Sequence, residues 1–233
     1  MHKTSDIYKR IYADDRHCKE IKLIIAGQEY AQDKIISCAI SGATFDKPKI
    51  GGCASRKITL KIFPYGDIPR QAKIEVYLRL VLGEEHSEWI PKGVFWFSTR
   101  ETDKKTGVMT VKGFDSMLKA NAQWINANYA ERNFPMSAEA AASDIARRIG
   151  VEVDERTNLS SRFPVEYPVD EYGDITMWDV LSYIAVANAG NWIITDEGKL
   201  RLIGYADIPA ETYYLVTEHG DSITIGGVRI IVR

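Results

Sequence analysis

Histidine and cysteine are scarce: the 233 residues hold four of the first and three of the second. Cys18, Cys38 and Cys53 form no CxxC pair, and an odd count argues against a disulfide framework or a structural zinc site. Cys38, inside the apolar stretch IISCAI, reads as a small core residue. His2, His17, His86 and His219 stand in no HExxH or HxH spacing, and GxSxG, P-loop and GxGxxG motifs are all missing. No apolar run approaches the ~18 residues of a membrane span. The opening MHKTSDIYKRIYADD is charged and has no apolar stretch of the kind a secretory signal needs. No run of Lys or Arg exceeds two, so the basic patches of nucleic-acid readers are lacking too. These absences predict no catalytic residue, no cofactor, no bound metal and no membrane partner.

What is present is an ordinary soluble composition, 45% hydrophobic and 27% charged. The charge is divided unevenly. Residues 1–120 carry 21 Lys and Arg against 15 Asp and Glu, whereas residues 121–233 carry 9 against 17. That division fits two modules with different surfaces, the second able to face something anionic without sticking to it.

The first half is punctuated by strand signals. SDIYKRIYADD reads as a short helix capped by Ser5 or Asp6. Ile21, Leu23 and Ile25 then fall on one face of a strand, and KIISCAI (34–40) is apolar. In RKITLKIF, Ile58, Leu60 and Ile62 alternate with lysine and threonine; in AKIEVYLRLVL, Ile74, Val76, Leu78 and Leu80 do the same against polar partners. GVFWFSTRETDKKTGVMTVKGFD (93–115) is a hairpin whose first strand is apolar on both faces, with Trp96 pointing one way and Phe95 and Phe97 the other. Gly/Pro/Asp-rich breaks separate these pieces, a pattern of all-β barrels and curved sheets. One face of the 93–100 strand must be core. Trp96, or else the Phe95/Phe97 pair, is therefore expected at a subunit interface.

After Asp115 the pattern changes. SMLKANAQW reads as a short helix, and SAEAAASDIARRIG as a longer one capped by Ser137 and stopped by Gly150. Thr176 and Asp179 form a capping box before Val180, Leu181 and Ile184, with Gly190 as the expected stop. NWIITDEGKLRLIGY reads as a hairpin around Asp196, Glu197 and Gly198. IGG at 50–52 and at 225–227 read as turn or bulge glycines. DSITIGGVRIIVR returns to strand, and an apolar strand signal still running at Arg233 predicts a second β module that continues further. The densest acidic cluster, EEHSE (84–88), reads as a solvated loop. EYPVDEYGD (166–174) mixes aromatics with acids as a sugar-contacting loop can, and no paired carboxylates are singled out for hydrolysis.

The order of parts resembles the N-terminal half of phage tail hub proteins. These include baseplate hubs, the tail-associated proteins of long-tailed phages and prophages, and the type VI secretion spike. The resemblance rests on DIYKRIYADD leading into KEIKLIIAG, on the 93–115 hairpin running directly into SMLKA with Met117, on GNWIITDEGKLRLIGY, and on DSITIGGVRIIV.

It implies a mainly β, α+β fold: an N-terminal arm (1–18), a tube-type β-barrel (19–120), a helix–helix–hairpin insertion (121–205) and the start of a second barrel (206–233), truncated. It further implies a structural virion component, located in the tail and assembled in the host cytoplasm. As a homotrimer when full length, this would link the tail tube or distal tail ring to the tail tip or fibre, with DNA passing through the lumen unbound. The resemblance supplies no catalytic residues. The alternative is a cell-wall hydrolase or carbohydrate-binding module, with EYPVDEYGD as its contact loop.

Overall fold

The computed structural model describes residues 4–42, 49–125, 134–166 and 175–204, and the backbone of four two-residue strands between 213 and 232. The chain begins with helix α1 (Asp6–Tyr12), capped by Ser5, whose hydroxyl accepts from the Tyr8 amide at 3.0 Å. Then come β1 (Cys18–Ile25), β2 (Gln28–Tyr30), β3 (Ile35–Ser41), β4 (Gly52–Ala54), β5 (Lys57–Ile62), β6 (Lys73–Leu82), β7 (Glu85–His86), β8 (Ile90–Thr102) and β9 (Met109–Phe114). All of these strands except β4 join one eight-stranded sheet in the order β2-β1-β6-β8-β9-β5-β3, with β7 added to β6. Every pairing within it is antiparallel.

The sheet curls around a single core. Its two end strands contribute Tyr30 and Ile35 to the same cluster as Leu23, Ile58, Leu60, Ile62, Ile74 and Phe95 from the middle. Register shifts at Ile35/Ser37, Val76/Tyr77 and Phe97/Thr99 supply the bends that such curvature needs. Each fully buried Ile, Leu or Phe in this core contributes roughly 1.5–3 kcal/mol. Among the described residues β2 and β3 are not bonded to each other, so the expected barrel is observed as a curled half-barrel sheet. The alternation in 56–63 and 72–82 sorts most residues as expected: Ile58, Leu60, Ile62 and Ile74 are fully buried and Val76 and Leu80 nearly so, whereas Leu78, just past the register shift at Val76/Tyr77, is only half-buried. Cys38 is half-buried on the end strand and packs against this core, and burial pushes its thiol up to about 11.

Beyond β9, Asp115 caps a 3-10 turn over Ser116–Asn121. Helices α2 (Ala138–Ile149) and α3 (Met177–Ala187) and strands β10 (Gly190–Ile194) and β11 (Leu200–Gly204) follow. They enclose a second core around Trp124 and Trp192. Ser137 caps α2, Gly150 closes it in the left-handed region, and Thr176 with Asp179 forms the capping box of α3. Gly190, however, is not the stop of α3. Asn188 caps the helix, Ala189 takes a positive φ of 47°, and Gly190 opens β10. A side chain at Gly190 would come 2.8 Å from the Ile203 carbonyl, so close strand pairing is what requires glycine there.

Strand β4 leaves the first sheet and pairs in parallel with β10, giving the order β11-β10-β4. The 50–52 glycines serve that crossing. Gly51 has φ 79°, a conformation that favours glycine, and a Cβ on it would lie 2.2 Å from Val186 Cγ2 of α3, so a side chain there would also push that valine aside; Gly52 is itself the first residue of the strand.

Near the end of the chain, β12 (Tyr213–Tyr214) pairs with β15 (Ile231–Val232), and β13 (Thr224–Ile225) with β14 (Val228–Arg229). The rest of 205–233 lies outside the described residues, and with it most of the expected second-barrel segment and the glycines at 226–227. Residues 167–174 of the EYPVDEYGD loop also lie outside them. No helix among the described residues is long and apolar enough to cross a membrane.

Candidate functional site

The three aromatic residues expected at an interface separate cleanly. Phe95 is fully buried and Phe97 is 7% exposed, both in the interior of the curled sheet. Trp96 lies on the outer face, half-buried, and its indole Nε1–H donates to Ser116 Oγ at 3.2 Å. A strand apolar on both sides is thus explained locally: the sheet core takes one face, and the 3-10 turn after Asp115 covers part of the other. Of the three, Trp96 alone faces outward among the described residues.

The junction that positions this turn is polar and buried. Asp115 is 2% exposed. Its carboxylate accepts from the Ser55 hydroxyl at 3.0 Å, from the Arg56 amide at 2.8 Å and from the Met117 amide at 3.2 Å. Burial pushes its pKa up, while these hydrogen bonds and the Arg56 charge pull it back down. The Arg56 guanidinium spans both cores. It donates to Asp196 Oδ1 at 2.5 Å and to the Thr195 carbonyl at 2.9 Å, and it lies 5.5 Å from the centre of the Phe95 ring. Its Nε stands 3.6 Å from Asp115 Oδ2. One arginine therefore fixes the curled sheet to the tip of the β10–β11 hairpin. Nothing in RKITLKIF distinguishes Arg56 from a solvated end of a strand, because its partners come from distant segments.

Around Trp96 a groove of about 370 Å³ opens between the outer face of the sheet and the 3-10 turn. Trp96 and Phe114, directly opposite each other on β8 and β9, line it together with Leu118 and Lys119. The Lys119 ammonium sits 4.1 Å from the centre of the Trp96 ring.

The acidic EEHSE segment has a structural task. Ser5 donates through its amide and its hydroxyl to the two Glu88 oxygens at 2.8 and 2.6 Å, and Arg10 pairs with Glu85 at 2.8 Å. Together with the fully buried Ile11, these contacts hold α1 on the sheet. Hydrogen bonding to Ser5 lowers the Glu88 pKa. His86 is exposed on β7, and the His17 ring nitrogen Nδ1 lies 2.7 Å from the Asp14 carbonyl. Among the described residues no group of three or more His, Cys, Asp or Glu could hold a metal ion.

The outer face of the sheet is otherwise charged. Arg79 pairs with Glu20 at 2.6 Å, and Lys22 and Arg79 lie 4.8 and 4.5 Å from the centre of the Trp89 ring. The end strand β3 differs: its Ile36 is 49% exposed, and among the described residues β3 pairs with β5 alone.

No protein-family model and no curated protein matches the chain. Among solved structures it is similar to the 43 kDa tail protein of prophage MuSo2 from Shewanella oneidensis, with a TM-score of 0.51 and 12% identity, covering 80% of this chain and 56% of that one. It is also similar to the tail protein from Neisseria meningitidis MC58, with a TM-score of 0.49 and 14% identity, over 79% of this chain and 51% of that one. The chain spans about half the length of these structures, and at 12% identity the likeness to the MuSo2 protein is one of fold.

Proposed function

We propose that the chain is a structural component of a phage or prophage tail, acting as a hub between the tail tube or distal tail ring and the tail tip. The observation that carries this reading is the shared fold: the likeness to the MuSo2 tail protein covers 80% of the chain at a TM-score of 0.51. An end strand seven residues long that, among the described residues, is paired on one side only, and that carries an exposed Ile36, supports assembly through sheet edges, since unpaired strand edges seek partners unless they are blunted. In this reading the protein is not an enzyme, its partners are copies of itself and other tail proteins, and a homotrimer forms around a lumen that passes DNA without binding it. The curled sheet is then one wall of a tube-type barrel, and the strands after residue 205 begin a second.

The test is sedimentation of the full-length protein, as wild type and as Ile36→Lys. A concentration-dependent trimer, lost in the variant while circular dichroism is unchanged, is the expected result. A monomer at every concentration that digests purified cell wall would overturn the proposal in favour of a hydrolase.

A further inference from the structure

We infer that the Trp96 groove is a docking site for a peptide segment of a partner protein that presents a carboxylate beside an aliphatic or aromatic side chain. The inference rests on the proposed reading of the chain as a tail component whose partners include other tail proteins, and it names the chemistry of the one that meets Trp96.

The groove is apolar over most of its wall. Trp96 and Phe114 form an aromatic surface across two strands, and Leu118 is 42% exposed at the rim. Such an arrangement loses little by accepting one more apolar side chain, and each one buried is favourable.

Two charged residues line it, Asp115 and Lys119. Asp115 is already committed to the Ser55 hydroxyl and to the Arg56 and Met117 amides. Lys119 is different. Its ammonium lies over the Trp96 ring and beside Gly150, 3.9 Å from where a Cβ there would stand, and among the described residues it makes no ion pair. Although the residue is exposed, desolvation by its surroundings lowers the pKa of its amine, with no carboxylate raising it again.

The groove thus presents, at the edge of an aromatic surface, a cation that has no ion-pair partner among the described residues. An incoming carboxylate completes a charge-assisted hydrogen bond there, and the neighbouring apolar side chain covers Trp96 and Leu118. A neutral or basic segment would leave the ammonium in a less solvated site without a partner, so the cation selects as well as attracts.

The experiment is an NMR titration of the folded chain, following the Trp96 indole resonance. The probes are acetyl-Leu-Asp-Phe-amide and its Leu-Asn-Phe counterpart. The aspartyl peptide should shift that resonance and bind roughly three- to tenfold tighter than the asparaginyl one, the range for a partly desolvated charge pair. Lys119→Met should abolish the difference and leave both peptides at the weaker affinity, while Lys119→Arg should retain it. The Lys119 amine pKa should rise when the aspartyl peptide is bound. Equal binding of the two peptides to the wild type, or no shift of the Trp96 resonance, overturns the inference. So does a shift that follows the concentration of the chain itself without peptide, because the occupant is then a second copy. None of these outcomes bears on the Ile36→Lys sedimentation result, so the two readings fail separately.

Discussion

Replacing Arg56 with methionine tests how the two cores are held together. Methionine keeps the apolar stem but removes donors to Asp196 at 2.5 Å and to the Thr195 carbonyl at 2.9 Å, and it takes away the charge 3.6 Å from Asp115. Breaking a buried pair by removing one partner costs about 3–5 kcal/mol when the other is left bare. Asp115 is not left bare: a hydroxyl and two backbone amides still serve it, and Asp196 is the more accessible of the two acids, with 26% of its side chain exposed. The loss at neutral pH should therefore be about 2–4 kcal/mol.

Its pH dependence is the sharper signature. Burial already raises the folded pKa of Asp115, so its charged form weighs against the fold as pH rises through that value. Without Arg56 the folded value moves higher still. The destabilisation should thus be larger at about pH 7.5 than at about pH 5, nearer the ordinary aspartate range. Urea unfolding followed by tryptophan fluorescence at both pH values gives the numbers, and adding Asp115→Asn should remove most of the pH dependence. A loss below about 0.5 kcal/mol, the scale of an ordinary surface change, or an equal loss at both pH values would refute the reasoning.

Gly51→Ala should destabilise the chain by about 2–4 kcal/mol, because it forces alanine to φ 79° and places a Cβ 2.2 Å from Val186 Cγ2; adding Val186→Ala should recover only the steric part in the same urea assay. Glu88→Ala removes both acceptors of Ser5, so amides 6–12 should exchange at least several-fold faster while the global unfolding midpoint barely moves. Hydrogen bonding to Arg156 holds Asp154 at about 2, which contributes stability above the ordinary aspartate range that is lost as pH falls through that value. Asp154→Asn should therefore cost about 1–2 kcal/mol at neutral pH, allowing for the solvent screening of Arg156, and that cost should shrink steadily as pH falls from about 4 towards 2.

Much of the fold could be read from local patterns. Period-two alternation placed Ile58, Leu60 and Ile62 inside, and side-chain chemistry at Ser137, Thr176 and Asp179 marked both long helices, because these signals act within a few residues. What escaped the sequence depends on segments far apart. β4 is three residues long and pairs in parallel with β10, so neither periodicity nor a turn announces it. Gly190 looked like a helix stop and is instead demanded by the backbone of a neighbouring strand. Curl and closure differ only in whether the end strands meet, which alternation does not encode. Of the candidate site, the two-faced character of 95–97 was legible, but Lys119 was not: its place over Trp96 arises from the turn that Asp115 caps.

The claim that the chain is a tail component is tested most directly on particles. Virions or tails purified from an induced culture of the strain that encodes it would be labelled with gold-conjugated antibody raised against residues 49–125. The account predicts label at the tail end distal to the capsid, one cluster per particle. Unlabelled tails, with the chain recovered only in the soluble fraction of the same lysate, would contradict it.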